Sequence, residues 1–185
     1  AALGYAEESK KQFELGLIRN HYVGRTFIEP TQNIRSLGVK LKLSPTKTIV
    51  ENKSIILIDD SLVRGTTCHK IVKMLYESGA KEVHVRIACP EIKFPDFYGV
   101  DMPTKEELLA HNKNNKEMCD HIKAKSLKFL SLKGLYKALI GAERNSNYPQ
   151  FSDHYFTGDY PIKPHDNLQG LKVKQLSLLS GKSNS

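Results

Sequence analysis

At 185 residues, with 39% hydrophobic and 26% charged residues, the chain has the size and mixture of an ordinary globular domain rather than of a disordered or membrane-embedded protein. No apolar run approaches the length that crosses a bilayer, and Ala1 to Lys11 lack the basic-then-apolar order of a secretion signal, so the expected compartment is the cytoplasm. The net charge of +8 raises nucleic acid as a partner, but residues 1–110 carry 16 Lys+Arg against 14 Asp+Glu and residues 111–185 carry 12 against 6; a basic end without interleaved aromatics argues against that partner.

Taken in chain order, Gly4 to Arg19 is expected to form a helix whose apolar face is Tyr5, Phe13, Leu15, Leu17 and Ile18. Asn20 to Thr26 is polar and aromatic around Gly24, a loop pattern. Pro30 and Thr31, with Thr31 as N-cap, predict a short helix near Ile34 to Leu37, and Pro45 breaks the chain again. Ser54-Ile55-Ile56-Leu57-Ile58 is a continuous apolar run, the pattern of a strand covered on both faces of a parallel sheet. Cys68, Ile71, Val72 and Leu75 then recur at helical spacing and Gly79 is placed to end that helix. In Glu82 to Cys89, Val83, Val85 and Ile87 alternate with His84 and Arg86, a second strand. Strand, helix and strand within about 35 residues make a βαβ unit, so the fold class is α/β, with ligands expected at the C-terminal ends of the strands.

Further on, Pro95 to Pro103 is a loop, and Thr104 with Glu107 has the form of a capping box opening a helix through Leu108 and Leu109. Asn115 to Ile122 is a second short helix, Leu127 to Leu130 a short strand and Leu132 to Ile140 an amphipathic helix. From Arg144, Asn, Ser, Pro and Gly accumulate, which predicts an irregular, partly mobile extension over 144–185 beyond a domain spanning 1–143. Cys68, Cys89 and Cys119 are odd in number and widely spaced, so they are expected as reduced, ordinary packed side chains. His21, His84 and His121 have no consistent partner and are assigned surface or hydrogen-bonded roles.

The segment that calls for chemistry is Asp59-Asp60-Ser61-Leu62-Val63-Arg64-Gly65-Thr66-Thr67, between the apolar strand and the first long helix. A helix N-terminus presents unpaired N–H groups and partial positive charge, which suit a phosphate. Gly65 admits close backbone approach, Ser61, Thr66 and Thr67 add hydroxyl donors, and the Arg64 side chain either adds charge or points outward. Two adjacent carboxylates repel a bare phosphate but make sense where the ligand also carries sugar hydroxyls or a magnesium ion. The nucleotide-binding P-loop is excluded, because no glycine-rich stretch followed by Lys-Ser or Lys-Thr is present.

These residues carry a resemblance. Ile56 to Thr67 resembles the phosphoribosyl diphosphate (PRPP) loop of type I phosphoribosyltransferases. Its wording, with Gly4-Tyr5-Ala6, Gly16 to Asn20, Tyr22-Val23-Gly24-Arg25-Thr26-Phe27-Ile28, Glu82 to Arg86, Phe97 to Asp101 and Phe156 to Pro161, is similar to the amidophosphoribosyltransferases of purine synthesis. The resemblance implies a parallel-sheet phosphoribosyltransferase fold with flanking helices. It implies that Asp59 and Asp60 hold Mg²⁺ and the ribose hydroxyls, and that Ser61, Arg64, Gly65, Thr66 and Thr67 hold the 5-phosphate of PRPP. Arg19 to Phe27 resembles the flexible loop that folds over PRPP, which makes Arg25, with Tyr22, the catalytic candidate beside the leaving pyrophosphate. The implied reaction is displacement of pyrophosphate from PRPP by ammonia, giving 5-phosphoribosylamine.

The sequence also departs from the family pattern. The N-terminal glutaminase domain with its cysteine nucleophile is expected to be missing, so this chain alone is not expected to use glutamine; it is expected to be a fragment or the product of a split or decaying gene, with a separate glutaminase-bearing chain as one candidate ammonia source. The family's first strand and its Pro-Asp-Ser-type loop would precede Ala1, which leads us to expect a sheet lacking that strand. Ser9-Lys10-Lys11-Gln12 replaces a more apolar stretch. Some relatives hold an iron–sulfur cluster; Asp96, Ser152 and Tyr155 stand here in place of cysteine, so none is expected. Family members are oligomers, so the intact protein is expected to be a homo-oligomer. The alternative to the enzyme is a non-catalytic remnant that keeps a sugar-phosphate or nucleotide site.

Overall fold

A computed structural model describes residues 1–20, 43–100 and 104–162. The expected N-cap at Thr31, the helix near Ile34 to Leu37, and the catalytic candidates Tyr22 and Arg25 lie outside the described residues. The described elements run α1 (Ala2–Ser9), β1 (Leu17–Arg19), β2 (Leu43–Pro45), α2 (Lys47–Val50), β3 (Ser54–Asp59), α3 (Thr66–Glu77), β4 (Glu82–Ile87), a 3₁₀ turn (Lys105–Glu107), α4 (Leu109–Asn112), α5 (Asn115–Ile122), β5 (Ser126–Phe129), α6 (Leu132–Ile140) and α7 (His154–Thr157).

Strands β3, β4 and β5 form a parallel sheet in that order, with Ser54 opposite Glu82 through Asp59 opposite Ile87, and His84 opposite Ser126 through Ile87 opposite Phe129. The βαβ unit predicted from the apolar run and the alternation is therefore present. On β4 the alternation sorts the faces: Val83, Val85 and Ile87 are buried, against Cys68, Ile71, Val72 and Leu75 of α3 and Met118 and Ile122 of α5 in one core cluster. On the other face a polar row forms. Ser126 Oγ lies 2.8 Å from His84 Nδ1 and accepts from Arg86 Nη1 at 3.0 Å.

Three expectations need correction. Ile55 to Ile58 are half-buried rather than covered on both faces, because β3 is an edge of the described sheet and borders a cavity of about 600 Å³ lined by Ala2, Tyr5, Phe13, Leu15 and Ile49 among others. The helix expected from Gly4 to Arg19 stops at Ser9. Lys10 takes the left-handed conformation (φ 56°) and the Lys11 N–H closes the turn on the Ala6 carbonyl at 3.0 Å. Leu17 to Arg19 then pair antiparallel with Leu43 to Pro45, trading helical periodicity for cross-strand bonds. The capping box lies elsewhere too. Thr104 caps only a single 3₁₀ turn and makes no side-chain cap bond, whereas Asn114 and Glu117 exchange backbone N–H bonds at 3.0 and 2.8 Å at the start of α5.

Residues 144–162 are irregular apart from α7, yet they are tied to the domain. Tyr136 Oη and Arg144 Nε both donate to Asp153 Oδ2, at 2.8 and 2.6 Å, and Arg144 Nη2 also reaches Asp159 at 2.7 Å. A second network centres on His154, which is 1% exposed. Its Nε2 lies 2.9 Å from Asp96 Oδ1, its Nδ1 3.0 Å from Ser152 Oγ, and its ring centroid 4.0 Å from that of Tyr155. Asp96, Ser152 and Tyr155 thus converge on one histidine. Burial pushes the Asp96 carboxyl up, but N–H bonds from Val100 and Tyr98 and the contact with His154 outweigh it and bring it down to about 2. A carboxyl held below its unfolded value adds stability that is full above about pH 4 and lost as pH falls towards 2. In Asp96→Asn, the decline of the urea midpoint between pH 4 and 2 should be shallower than in the wild type, with a lower midpoint at neutral pH.

Candidate phosphate-binding site

The loop from Asp59 to Thr67 leaves the C-terminal end of β3 and enters the N-terminus of α3, where a parallel sheet presents its ligand sites. Asp59 is the last residue of β3, and its carbonyl accepts the Ala88 N–H at 2.9 Å, so the chain that follows β4 fixes its position. Its carboxylate accepts the Asp60 N–H at 3.0 Å. Burial pushes this carboxyl up, the Asp60 N–H offsets part of that, and the neighbouring Asp60 charge adds to the rise; the net shift is upward. Asp60 is exposed, and its Oδ1 accepts both the Ser61 N–H at 2.7 Å and the Ser61 hydroxyl at 3.3 Å.

Gly65 makes the junction possible. It sits at φ 77°, in the left-handed region that L side chains rarely adopt, and caps α3 without any side-chain bond. A β-carbon there would lie 2.8 Å from Leu109 Cδ2 and 3.2 Å from His121 Cδ2, so residues of α4 and α5 pack directly under the turn. Thr66 and Thr67 follow, exposed, at the first two positions of a twelve-residue helix whose leading N–H groups have no carbonyl in their own helix to bond. The structure thus brings Asp59, Asp60, Ser61, Arg64, Gly65, Thr66 and Thr67 together in one turn. Arg64, however, is engaged: its Nη2 donates to Glu107 Oε2 at 3.2 Å. The spacing from Thr104 predicts a capping role for Glu107, and nothing local in the sequence signals a partner 43 positions away.

Two adjacent carboxylates offer hard oxygen donors, and among the described residues no group of three or more His, Cys, Asp or Glu side chains gathers to hold a metal ion. That donor set fits magnesium, which takes one or two protein carboxylates and completes its shell with water and ligand phosphates, better than it fits a metal caged by protein alone. The nearby thiols are chemically quiet. Burial, with the Asp59 charge, pushes Cys68 up to about 12, and burial with the Asp60 charge pushes Cys89 up to about 11, so both remain protonated near neutrality. No disulfide joins any of the three cysteines.

No family model matches the chain. Individual relatives do. The chain is 56% identical over 181 residues to the amidophosphoribosyltransferase of Rhizobium etli, covering 97% of this chain and 36% of that protein. It is 52% identical over 166 residues to the enzyme of the same name from Staphylococcus aureus, covering 90% of this chain and 33% of that protein. The chain is thus homologous to one segment of the amidophosphoribosyltransferases. It spans about a third of the length of the curated relatives it matches. Among solved structures it superposes on the glutamine PRPP amidotransferase of B. subtilis complexed with ADP and GMP, with a TM-score of 0.74 and 49% identity over 86% of this chain and 35% of that one. A structure described as the allosteric regulatory enzyme of purine biosynthesis matches at 0.76, with 47% identity over 89% of this chain and 35% of that one. The α/β fold with a parallel sheet is therefore the type I phosphoribosyltransferase fold of this family. Among the described residues no helix is long and apolar enough to cross a membrane.

Placing an alanine at position 65 tests the junction. Positive φ and the contact with Leu109 together should cost Gly65→Ala roughly 2–4 kcal/mol of stability, read as a lowered urea midpoint with an unchanged slope.

Proposed function

We propose that this chain binds magnesium-complexed PRPP in the Asp59–Thr67 loop and forms the phosphoribosyl-transferring part of an amidophosphoribosyltransferase. The observation that carries the proposal is the loop itself: two carboxylates at the end of β3, then Gly65 turning the chain into the open N-terminus of α3, in a chain 56% identical to a relative with that name. The N–H groups and hydroxyls of Thr66 and Thr67 receive the 5-phosphate, with Ser61 and Arg64 closing around it. Asp59 and Asp60 accept from the ribose hydroxyls and hold Mg²⁺, which when bound neutralises the charge on the pyrophosphate. Asp59, half-buried with its carboxyl shifted upward, gains from a cation or from hydroxyl donors, because either relieves the cost of burying its charge.

In the reaction the nitrogen of ammonia bonds to C1 of the ribose while the bond from C1 to the pyrophosphate oxygen breaks. The pyrophosphate leaves with the electron pair, and the new ammonium group loses a proton to become the amine of 5-phosphoribosylamine. The protein's task is to hold the ring, to balance charge as C1 becomes positive, and to keep out water. Arg25 and Tyr22, outside the described residues, are assigned to the leaving pyrophosphate. Glutamine-derived ammonia requires a glutaminase, supplied by another part of a longer polypeptide or by a separate chain. The assembled enzyme is assigned to the cytoplasm as a homo-oligomer acting in purine synthesis.

Calorimetric titration of the chain with Mg²⁺–PRPP tests the first step. Saturable binding is expected, and Asp60→Asn, which removes one carboxylate without changing the turn's shape, should weaken it at least tenfold. A folded chain without measurable heat, or an Asp60→Asn chain that binds as the wild type does, would remove this loop as the site.

A further inference from the structure

Arg64 is the one cation between Asp59 and Thr67, and the structure commits it to Glu107 at 3.2 Å. Both side chains are about half exposed, at 52% and 51%, so the pair is a weak one and readily exchanged. Glu107 is nonetheless held in place by a built turn. The side-chain amide of Asn112 donates to the carbonyls of Lys105, Glu106 and Leu108 at 3.0, 2.8 and 2.9 Å, which locks the 3₁₀ turn that carries Glu107. Leu108, Leu109 and Ala110 are buried beneath it, and the Leu109 N–H bonds the carbonyl of Val63, the residue before Arg64, at 2.9 Å. The same Leu109 packs under Gly65. One segment therefore supports the turn of the loop and delivers a carboxylate to its cation.

Glu107 thus adds a carboxylate to the two that the loop itself carries, and it is the one that engages the loop's single guanidinium. An arriving phosphate needs that guanidinium and finds it occupied. We propose that Glu107 is a competing anion that sets the loop's affinity and selectivity for phosphate: it holds Arg64 in the empty site and yields it to a bound ligand. The inference rests on the reading that this loop receives a phosphate. Its consequence is selectivity. A free phosphate, which brings no cation, meets the full competition, whereas a magnesium-complexed sugar diphosphate offsets the carboxylates with its own metal and gains additional contacts.

The test is titration of the full chain with inorganic phosphate and, separately, with Mg²⁺–PRPP. The chains are the wild type, Glu107→Gln, Glu107→Asp, Arg64→Ala and the double variant Arg64→Ala with Glu107→Gln, each checked for folding by circular dichroism. Glu107→Gln is expected to tighten phosphate binding about three- to fivefold, with a smaller gain for Mg²⁺–PRPP. Glu107→Asp, which keeps the charge but shortens its reach, should tighten it less, and Arg64→Ala should weaken it. In the Arg64→Ala background the Glu107→Gln effect should vanish, because the two residues act through one contact. Unchanged or weaker phosphate binding by folded Glu107→Gln, with wild-type binding of Mg²⁺–PRPP intact, overturns the competition while the ligand reading stands. Tightening that persists without Arg64 assigns the effect to general charge and also overturns it. Absence of binding by all five folded chains overturns both.

Discussion

The site depends on the turn at Gly65. A buried-type strand must pass into a helix within a few residues while leaving the helix N-terminus open, and this requires a residue at φ 77° with no side chain between the turn and Leu109, His121 and Ile122. The requirement works in both directions. The turn leads into the N-terminus of a twelve-residue helix, and residues of α4 and α5 pack against its underside. Residues far from the loop in sequence, from Leu108 to Ile122, thereby become part of its architecture without touching a ligand. The parallel register completes the arrangement, since Asp59 opposite Ile87 and the Ala88 N–H on the Asp59 carbonyl place the first carboxylate from the neighbouring strand.

Within that frame the loop is satisfied by its own groups. Asp60 takes the hydroxyl and N–H of Ser61, Asp59 takes the N–H of Asp60, and Glu107 takes Arg64. None of these bonds is buried deeply enough to be costly to exchange. The exception is Asp59, whose half-buried carboxyl is shifted upward by lost hydration. Burial raises its carboxyl more than the Asp60 N–H lowers it, and the neighbouring Asp60 charge adds to that rise.

What was legible in the sequence was local and periodic. The helical spacing of Cys68, Ile71, Val72 and Leu75 and the alternation of Val83, Val85 and Ile87 each report a face of one element, and both appear where expected; the apolar run marks β3 itself, though not its half-buried state. The order of acids, arginine, glycine and threonines placed the loop. Partner choice across long separations was not legible. Glu107 was assigned to a cap because Thr104 precedes it by three, but its carboxylate is 43 positions from the side chain it meets. Asp96 and His154 meet across 58 positions, and Arg144 and Asp153 across nine residues of irregular chain whose composition resembled a loose tail. Such pairings leave no periodic trace, because they are fixed by how elements pack and not by spacing within one. The end of α1 at Lys10 was missed for a related reason: Leu17 and Ile18 suit a helical face and a strand equally, and the pairing with Leu43 and Ser44 decided it.

The same distinction explains why the described core is centred on β4 although β3 has the more apolar sequence. Burial follows from position in the sheet, and β4 is flanked by hydrogen-bonded strands on both sides, whereas β3 has one described neighbour and a cavity of about 600 Å³ on its other side. The large apolar side chains of the segment beside that cavity, Phe13 and Leu15, are themselves substantially exposed. Among the described residues β4 therefore has more apolar area removed from water than β3. The loop at the end of β3 inherits its order from the β4 ladder on one side and from the Gly65 contact below. A change that loosened either would move Asp59 relative to Thr66 and Thr67.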